Sequence, residues 1–235
     1  MAWASLIANK MRSILTMLGI IIGVAAVIAL VSIGNGVKQD IQNSISSLGS
    51  NLLMVMPGAP RTPGVRPSPG SMKSLKVADY EAIAKLDGVK AASPMTNGGY
   101  VVIYQNKNWT TSVSGVNANY LDVNNWTMKS GRFLSEKNVQ NRERVAVVGK
   151  TVVKNLFGDE DPVGKEIRVK NIPFRIIGVL NSKGSGAMGN DQDDMVIIPY
   201  TTAMERVDGI DYLRMIYVVG KDENGIDRLQ SDIEN

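Results

Sequence analysis

Between Ser13 and Val37 the chain carries no charged residue, and "ILTMLGIIIGVAAVIALVSI" (14–33) is apolar at almost every position. A helix of about twenty residues spans about 30 Å, the thickness of a bilayer's hydrocarbon core. A secretory signal peptide has a shorter apolar stretch, about 7–15 residues, and needs a small-residue cleavage site that is not well placed here. The pattern therefore predicts an uncleaved transmembrane helix over 13–37, preceded by a short segment 1–12. Past the apolar run the spacing changes. Val37, Ile41, Ile45 and Leu48 recur at helical intervals, and Gly49 suits the position after a helix end. The helix is expected to continue beyond the membrane as a stalk, where a flexible tether would carry Gly, Ser and Pro.

The remaining chain alternates short strand and helix patterns. "NLLMVMP" (51–57) reads as a strand, and five of the nine prolines then fall within 57–69, a loop without a packed core. "KVADYEAIAKLDG" predicts an amphipathic helix with Tyr80, Ile83, Ala84 and Leu86 inward. "GYVVIYQ" and "WTTSVSGV" flank "NKN" as a hairpin. "RVAVVGKTVVKNLFG" reads strand then helix ending at Gly158, and "KEIRVKNIPFRIIGVLN" a hairpin turning at Asn171. The strand "MVIIP" and helix "YTTAMERVDG" follow. "DYLRMIYVVG" with "GIDRLQSDIEN" then repeats the strand–helix order of 51–88. Two similar ends around a middle block indicate an inserted subdomain. Hairpins mixed with helices favour an α+β class over a parallel sheet.

Charge gives this layout a direction. Lys10 and Arg12 precede the apolar run and no acid occurs before Asp40, so the N-terminus is expected in the cytoplasm and everything after about residue 38 outside it. The net charge of +4 is scattered and argues against nucleic acid as a partner. Gly19 and Gly23 have the spacing that lets a second helix approach, although glycine is also simply tolerated in membrane helices.

Chemistry is limited by what is missing. With no histidine and no cysteine, imidazole catalysis, thiol nucleophiles and Cys/His zinc sites are excluded. The stretch most suggestive of a site is "KGSGAMGNDQDDM" (183–195), with Gly184, Ser185, Gly186, Gly189, Asp191, Asp193 and Asp194. A phosphate cradle needs a helix N-terminus behind it, whereas the next predicted element is a strand. No GxxxxGK[ST] pattern exists, so nucleotide is not expected. The aspartates offer hard oxygens, but their spacing misses the calcium-loop pattern. No catalytic residue, cofactor or metal is expected. The loop is either plainly solvated or touches a partner or the outer cavity, since small residues allow close approach.

Several stretches resemble one family. "NKMRSILTMLGIIIGVAAVIALVSIGNG", "SGRFLSEKNV", "RVAVVGKTVVKNLFG", "DPVGKEIRV", "FRIIGVL" and "DQDDMVIIPYTTAMERVDG" are similar, in order over essentially the whole chain, to MacB-type ABC transporter permeases of the FtsX-like class. The resemblance implies four membrane helices, with a large outer domain between the first and second. That domain has a Porter subdomain, here 38–117 with 210–235, and an inserted Sabre subdomain, here 118–209. It also implies a non-enzymatic permease in the inner membrane, paired with a second copy or a paralogue. A cytoplasmic ABC ATPase would move the outer domain through the stalk, exporting drugs, peptides or lipoproteins from the outer side. A membrane-fusion protein and membrane lipid are the further implied partners. A related outer domain that senses peptide antibiotics and signals to a histidine kinase is the alternative. With one membrane helix and no ATP motif, the chain reads as a piece ending before the second membrane helix. The position of Met1 leans towards a separate ATPase.

Overall fold

The computed structural model describes residues 10–48, 51–58, 73–186, 189–222 and 225–234, with side chains at 10, 12, 13 and 37–48 outside that set. The chain divides into two compact units, 1–46 and 47–235.

Among the described residues the first unit is helical throughout. Helix α1 runs Lys10–Leu48, 39 residues without a break. Its segment Ile14–Gly36, 23 residues at mean hydropathy 2.9, is long and apolar enough to cross a membrane. Large side chains there lie open, Ile20 at 66% and Leu30 at 76% exposure. An apolar surface of this extent needs a non-aqueous surrounding. The backbone remains helical to Leu48, whereas the direction of the stripe Val37, Ile41, Ile45 and Leu48 lies outside the described residues, as does Gly49. The proline-rich loop is likewise outside them from residue 59 to 72.

In the second unit β1 (Leu52–Val55) pairs antiparallel with β9 (Met215–Gly220). β9 pairs in turn with the first half of β2 (Val89–Tyr104). The second half of β2 pairs with β3 (Lys107–Val116). From there the ladder passes through β8 (Met195–Pro199), β5 (Val145–Val148) and β7 (Ile172–Leu180) to β6 (Glu166–Val169). β6 then pairs back with β2 at Val102↔Val169 and Ile103↔Arg168, closing a six-stranded ring. β4 (Met128–Gly131) adds to β7 on the outside. The ring therefore takes strands from both blocks read in the sequence.

Alternation explains where the cores sit. Inward residues such as Val102, Ile167, Phe174, Ile176, Val196 and Ile198 fill the ring together with Val152 and Leu156 of α5 (Lys150–Leu156). On the outer face of β5, β7 and β8 a second cluster gathers Val147, Ile177 and Ile197 with Trp126 and Leu134. A third lies under β9 and β2. There Ile83 of α2 (Val77–Ile83) and Leu229 of α7 (Ile226–Glu234) cover Ile216 and Val218. Short helices α3 (Tyr120–Val123), α4 (Glu136–Gln140) and α6 (Tyr200–Thr202) complete the list, α6 continuing as a π-helix over Ala203–Asp208. Gly209, at φ 65°, ends that helix.

The mixed α+β class stands as read, with local differences. Ala84 is exposed, because α2 stops at Ile83 and Ala84 caps it. The first hairpin turns at Gln105 and Asn106, with Gln105 at φ 51°, so Lys107 and Asn108 already belong to β3. The second turns at Lys170 and Asn171, both at positive φ, as its sequence indicated.

Candidate functional site

The glycine–aspartate loop connects β7 to β8, and its carboxylates are engaged within the chain. Asp193 is 4% exposed. It accepts hydrogen bonds from the amides of Lys183 at 2.7 Å and Gly184 at 3.2 Å, and from the Ser182 hydroxyl. The Asp193 amide donates to Asp191 Oδ1 at 2.8 Å, and Thr151 Oγ1 donates to Asp191 Oδ2 at 2.6 Å. Trp109 Nε1 donates to Asp194 Oδ1 at 2.8 Å. A buried carboxylate is tolerable only when its lone pairs are satisfied in this way. Among the described residues no group of three or more acidic side chains could hold a metal ion.

The glycines serve the turn itself. Gly184 and Gly189 lie at φ 75° and 76°, a region that L side chains rarely adopt. Ser185 and Asp191 form an isolated antiparallel bridge, and Gln192 N donates back to Gly184 O at 3.1 Å. A Cβ on Gly186 would meet Asn190 Oδ1 at 2.8 Å. Ser185, Gly189 and Asp191 stay exposed.

Beside the loop, Gly149-Lys150-Thr151 leads from β5 into the first turn of α5, where a phosphate loop would place such a triplet. The donors of Gly149 and Thr151 are already committed. Gly149 N donates to Met195 O at 2.9 Å, Thr151 N to Asp193 O at 3.2 Å, and the Thr151 hydroxyl to Asp191. Lys183 completes the base of the loop. Its Nζ donates to Asn124 O at 2.6 Å and lies 4.6 Å from the Trp126 ring centre. Partial burial pushes the ammonium's pKa below its ordinary value. Trp109, Asn124, Trp126 and Thr151 thus hold the loop, and sequence reading missed all four. They stand far from it in the chain, so no local spacing could reveal them. Along α1, a Cβ on Gly19 or Gly23 meets nothing within 4 Å, leaving that face of the helix open.

An apolar helix of membrane length, followed in the chain by an α+β unit, defines a class: a membrane protein with a folded domain outside the bilayer. The chain belongs to the family of MacB-like periplasmic core domains, which matches residues 13–235. The "Macrolide export ATP-binding/permease protein MacB" of Rhodospirillum rubrum is 45% identical over 237 residues, covering 100% of this chain and 36% of that protein. The protein of the same name from Bdellovibrio bacteriovorus is 41% identical, covering 98% and 35%. The chain thus spans about a third of the length of the curated relatives it matches. Among solved structures, the periplasmic region of MacB from Actinobacillus actinomycetemcomitans superposes with a TM-score of 0.67 at 24% identity, covering 80% of this chain and 83% of that one. The extracellular domain of the Gram-positive transporter YknZ superposes at 0.63 and 18% identity, covering 76% and 88%. These two likenesses carry the fold.

Proposed function

We propose that the chain is the first membrane helix and outer domain of a MacB-type exporter permease. In this reading the outer domain is displaced by cytoplasmic ATP hydrolysis and drives export of drugs, peptides or lipoproteins from the outer side of the inner membrane. The observation that carries it is the single helix Lys10–Leu48, which continues for 37–48 past its apolar span. Those residues reach about 18 Å beyond the bilayer at 1.5 Å each, and a helix resists bending over that length. The relatives named ATP-binding/permease proteins support an ATPase, fused or separate, while the open Gly19/Gly23 face supports a second permease copy and the exposed apolar span supports lipid around 13–37. Lys10 and Arg12 support a cytoplasmic N-terminus. In the same reading 38–117 with 210–235 forms the Porter-like part and 118–209 the Sabre-like part. The exposed tip at Ser185, Gly189 and Asp191 is where a membrane-fusion partner would touch. The outer domain itself is non-catalytic.

Breaking the stalk tests this. Gln42→Pro removes a backbone donor and clashes with the preceding turn, costing about 3 kcal/mol or more in a helix interior, while Gln42→Ala keeps the helix. In the full-length protein with its ATPase, the proline variant is expected to hydrolyse ATP yet lose export, and the alanine variant to retain both. Normal export by the proline variant at normal expression would remove the stalk from the mechanism.

A further inference from the structure

The chain holds twelve methionines and no cysteine. Peroxides react with thiolates before thioethers, so in this protein the thioethers take the attack. Access then decides which of them reacts. Met54 and Met56 are 53% and 47% exposed. Met204 is 8% exposed, within the cluster under β9 and β2, while Met95, Met128, Met195 and Met215 are half-buried. Met95, Met128 and Met195 pack against the cluster on the outer face of β5, β7 and β8, and Met215 faces Met95 across the β2–β9 ladder.

Strand order explains why one pair lies open. β1 is an edge strand and pairs with β9 alone. Leu53 and Val55 pack against the cluster that α7 covers, and alternation keeps Met54 and Met56 out of it. Both side chains line a cavity of about 330 Å³ shared with Gln230, Ile233 and Glu234 of α7. Several water-sized molecules fit there at about 30 Å³ each.

We propose that Met54 and Met56 are the oxidation site of the outer unit, converted to sulfoxides by peroxide and returned by a methionine sulfoxide reductase while the unit stays folded. In the forward step a sulfur lone pair attacks one peroxide oxygen, the O–O bond breaks, and a proton shift releases water. Sulfur loses two electrons and the peroxide gains them. The return takes two electrons from a dithiol, leaving a disulfide and water. Position sets the cost of the new oxygen. On Met54 or Met56 it stays hydrated, whereas at Met95, Met204 or Met215 it would bring a polar group into an apolar cluster. Met54, Met56 and Val101 are the large apolar side chains that this unit leaves exposed among the described residues. Oxidation thus makes two of them polar and switches the character of the β1 edge, whether or not the protein exports anything.

The test treats the whole chain in lipid nanodiscs with hydrogen peroxide and follows methionine oxidation by peptide mass spectrometry over time. Met54 and Met56 should gain oxygen about tenfold faster than Met95, Met128, Met195, Met204 or Met215. The two share a stretch of chain, so Met54→Leu and Met56→Leu each leave one reporter, which should keep its fast rate. While the slower group remains reduced, the urea midpoint should not move, and reductases of both epimer specificities with dithiothreitol should clear both sulfoxides from the folded protein. Oxidation of any member of the slower group as fast as the pair overturns the proposal. So does a fall in midpoint that the Met54→Leu/Met56→Leu variant does not share, or sulfoxides that are cleared only after unfolding.

Discussion

Gly149 is the residue on which the loop and the ring meet. A Cβ there would lie 2.2 Å from the Asp193 carbonyl oxygen, which is backbone and cannot step aside. Gly149→Ala should therefore destabilise the outer unit by about 1–3 kcal/mol, the usual cost of overpacking. An unchanged midpoint in urea denaturation would show that the loop yields instead. Asp193 gives the complementary case. Asp193→Asn keeps the shape but turns an amide group towards donors at Ser182, Lys183 and Gly184. Leaving one of them unpaired costs about 1–3 kcal/mol. Hydrogen exchange of the Lys183 and Gly184 amides should accelerate in this variant while that of the β5 amides does not.

Among the elements, the β6–β7 hairpin has a turn that can be probed in both directions. Lys170 and Asn171 sit at φ 50° and 66°. Asn171→Gly should be neutral or mildly stabilising, whereas Asn171→Val should cost about 1–2 kcal/mol because a branched Cβ resists the left-handed region. Equal denaturation midpoints for the two would show that the turn relaxes. This hairpin was readable in advance, since Asn between alternating apolar runs carries its own signal. The membrane helix was readable too, through length alone. The first half of β2 was not. "VKAASPM" lacks β-branched density and contains Pro94, yet it pairs with β9 over Val89–Met95. Tertiary pairing overrode weak local preference there. The π-helix at Ala203–Asp208 was equally hidden, because its pattern fits an α-helix. The site fared less well than the fold. Glycines and aspartates marked where the loop lies, but the groups that anchor it come from β3, the segment just after α3, and α5, and only the folded chain brings them together.

For the molecule as a whole, buried tyrosines set an upper limit in pH. Tyr200 is 9% exposed, and its hydroxyl is pushed up to about 12, first by burial and then by charge repulsion from Tyr80, Glu81 and Glu136. Burial likewise raises Tyr120, helped by the nearby Tyr217 hydroxyl. A folded-state pKa above the ordinary 10.0 means that the native state keeps its proton longer than the unfolded chain. The stabilisation is complete below about pH 10 and is lost as pH rises towards about 12. Urea midpoints should thus fall from about pH 9 to about pH 11.5, and less steeply in Tyr200→Phe; identical slopes would remove Tyr200 from the effect. The pairings that complete the outer unit join distant points of the chain, Leu52 with Val219 and Ser112 with Met195. Such non-local topologies fold slowly, in about milliseconds to seconds, because loop entropy is lost before contacts reward it. In chain order β1 is made early and β9 late, with more than 150 residues between them. The apolar edge of β1, with Met54 53% exposed even in the finished fold, therefore waits unpaired until β9 has been made. Biogenesis, more than equilibrium stability, is then the stage at which this domain is most open to aggregation and most dependent on a holding chaperone.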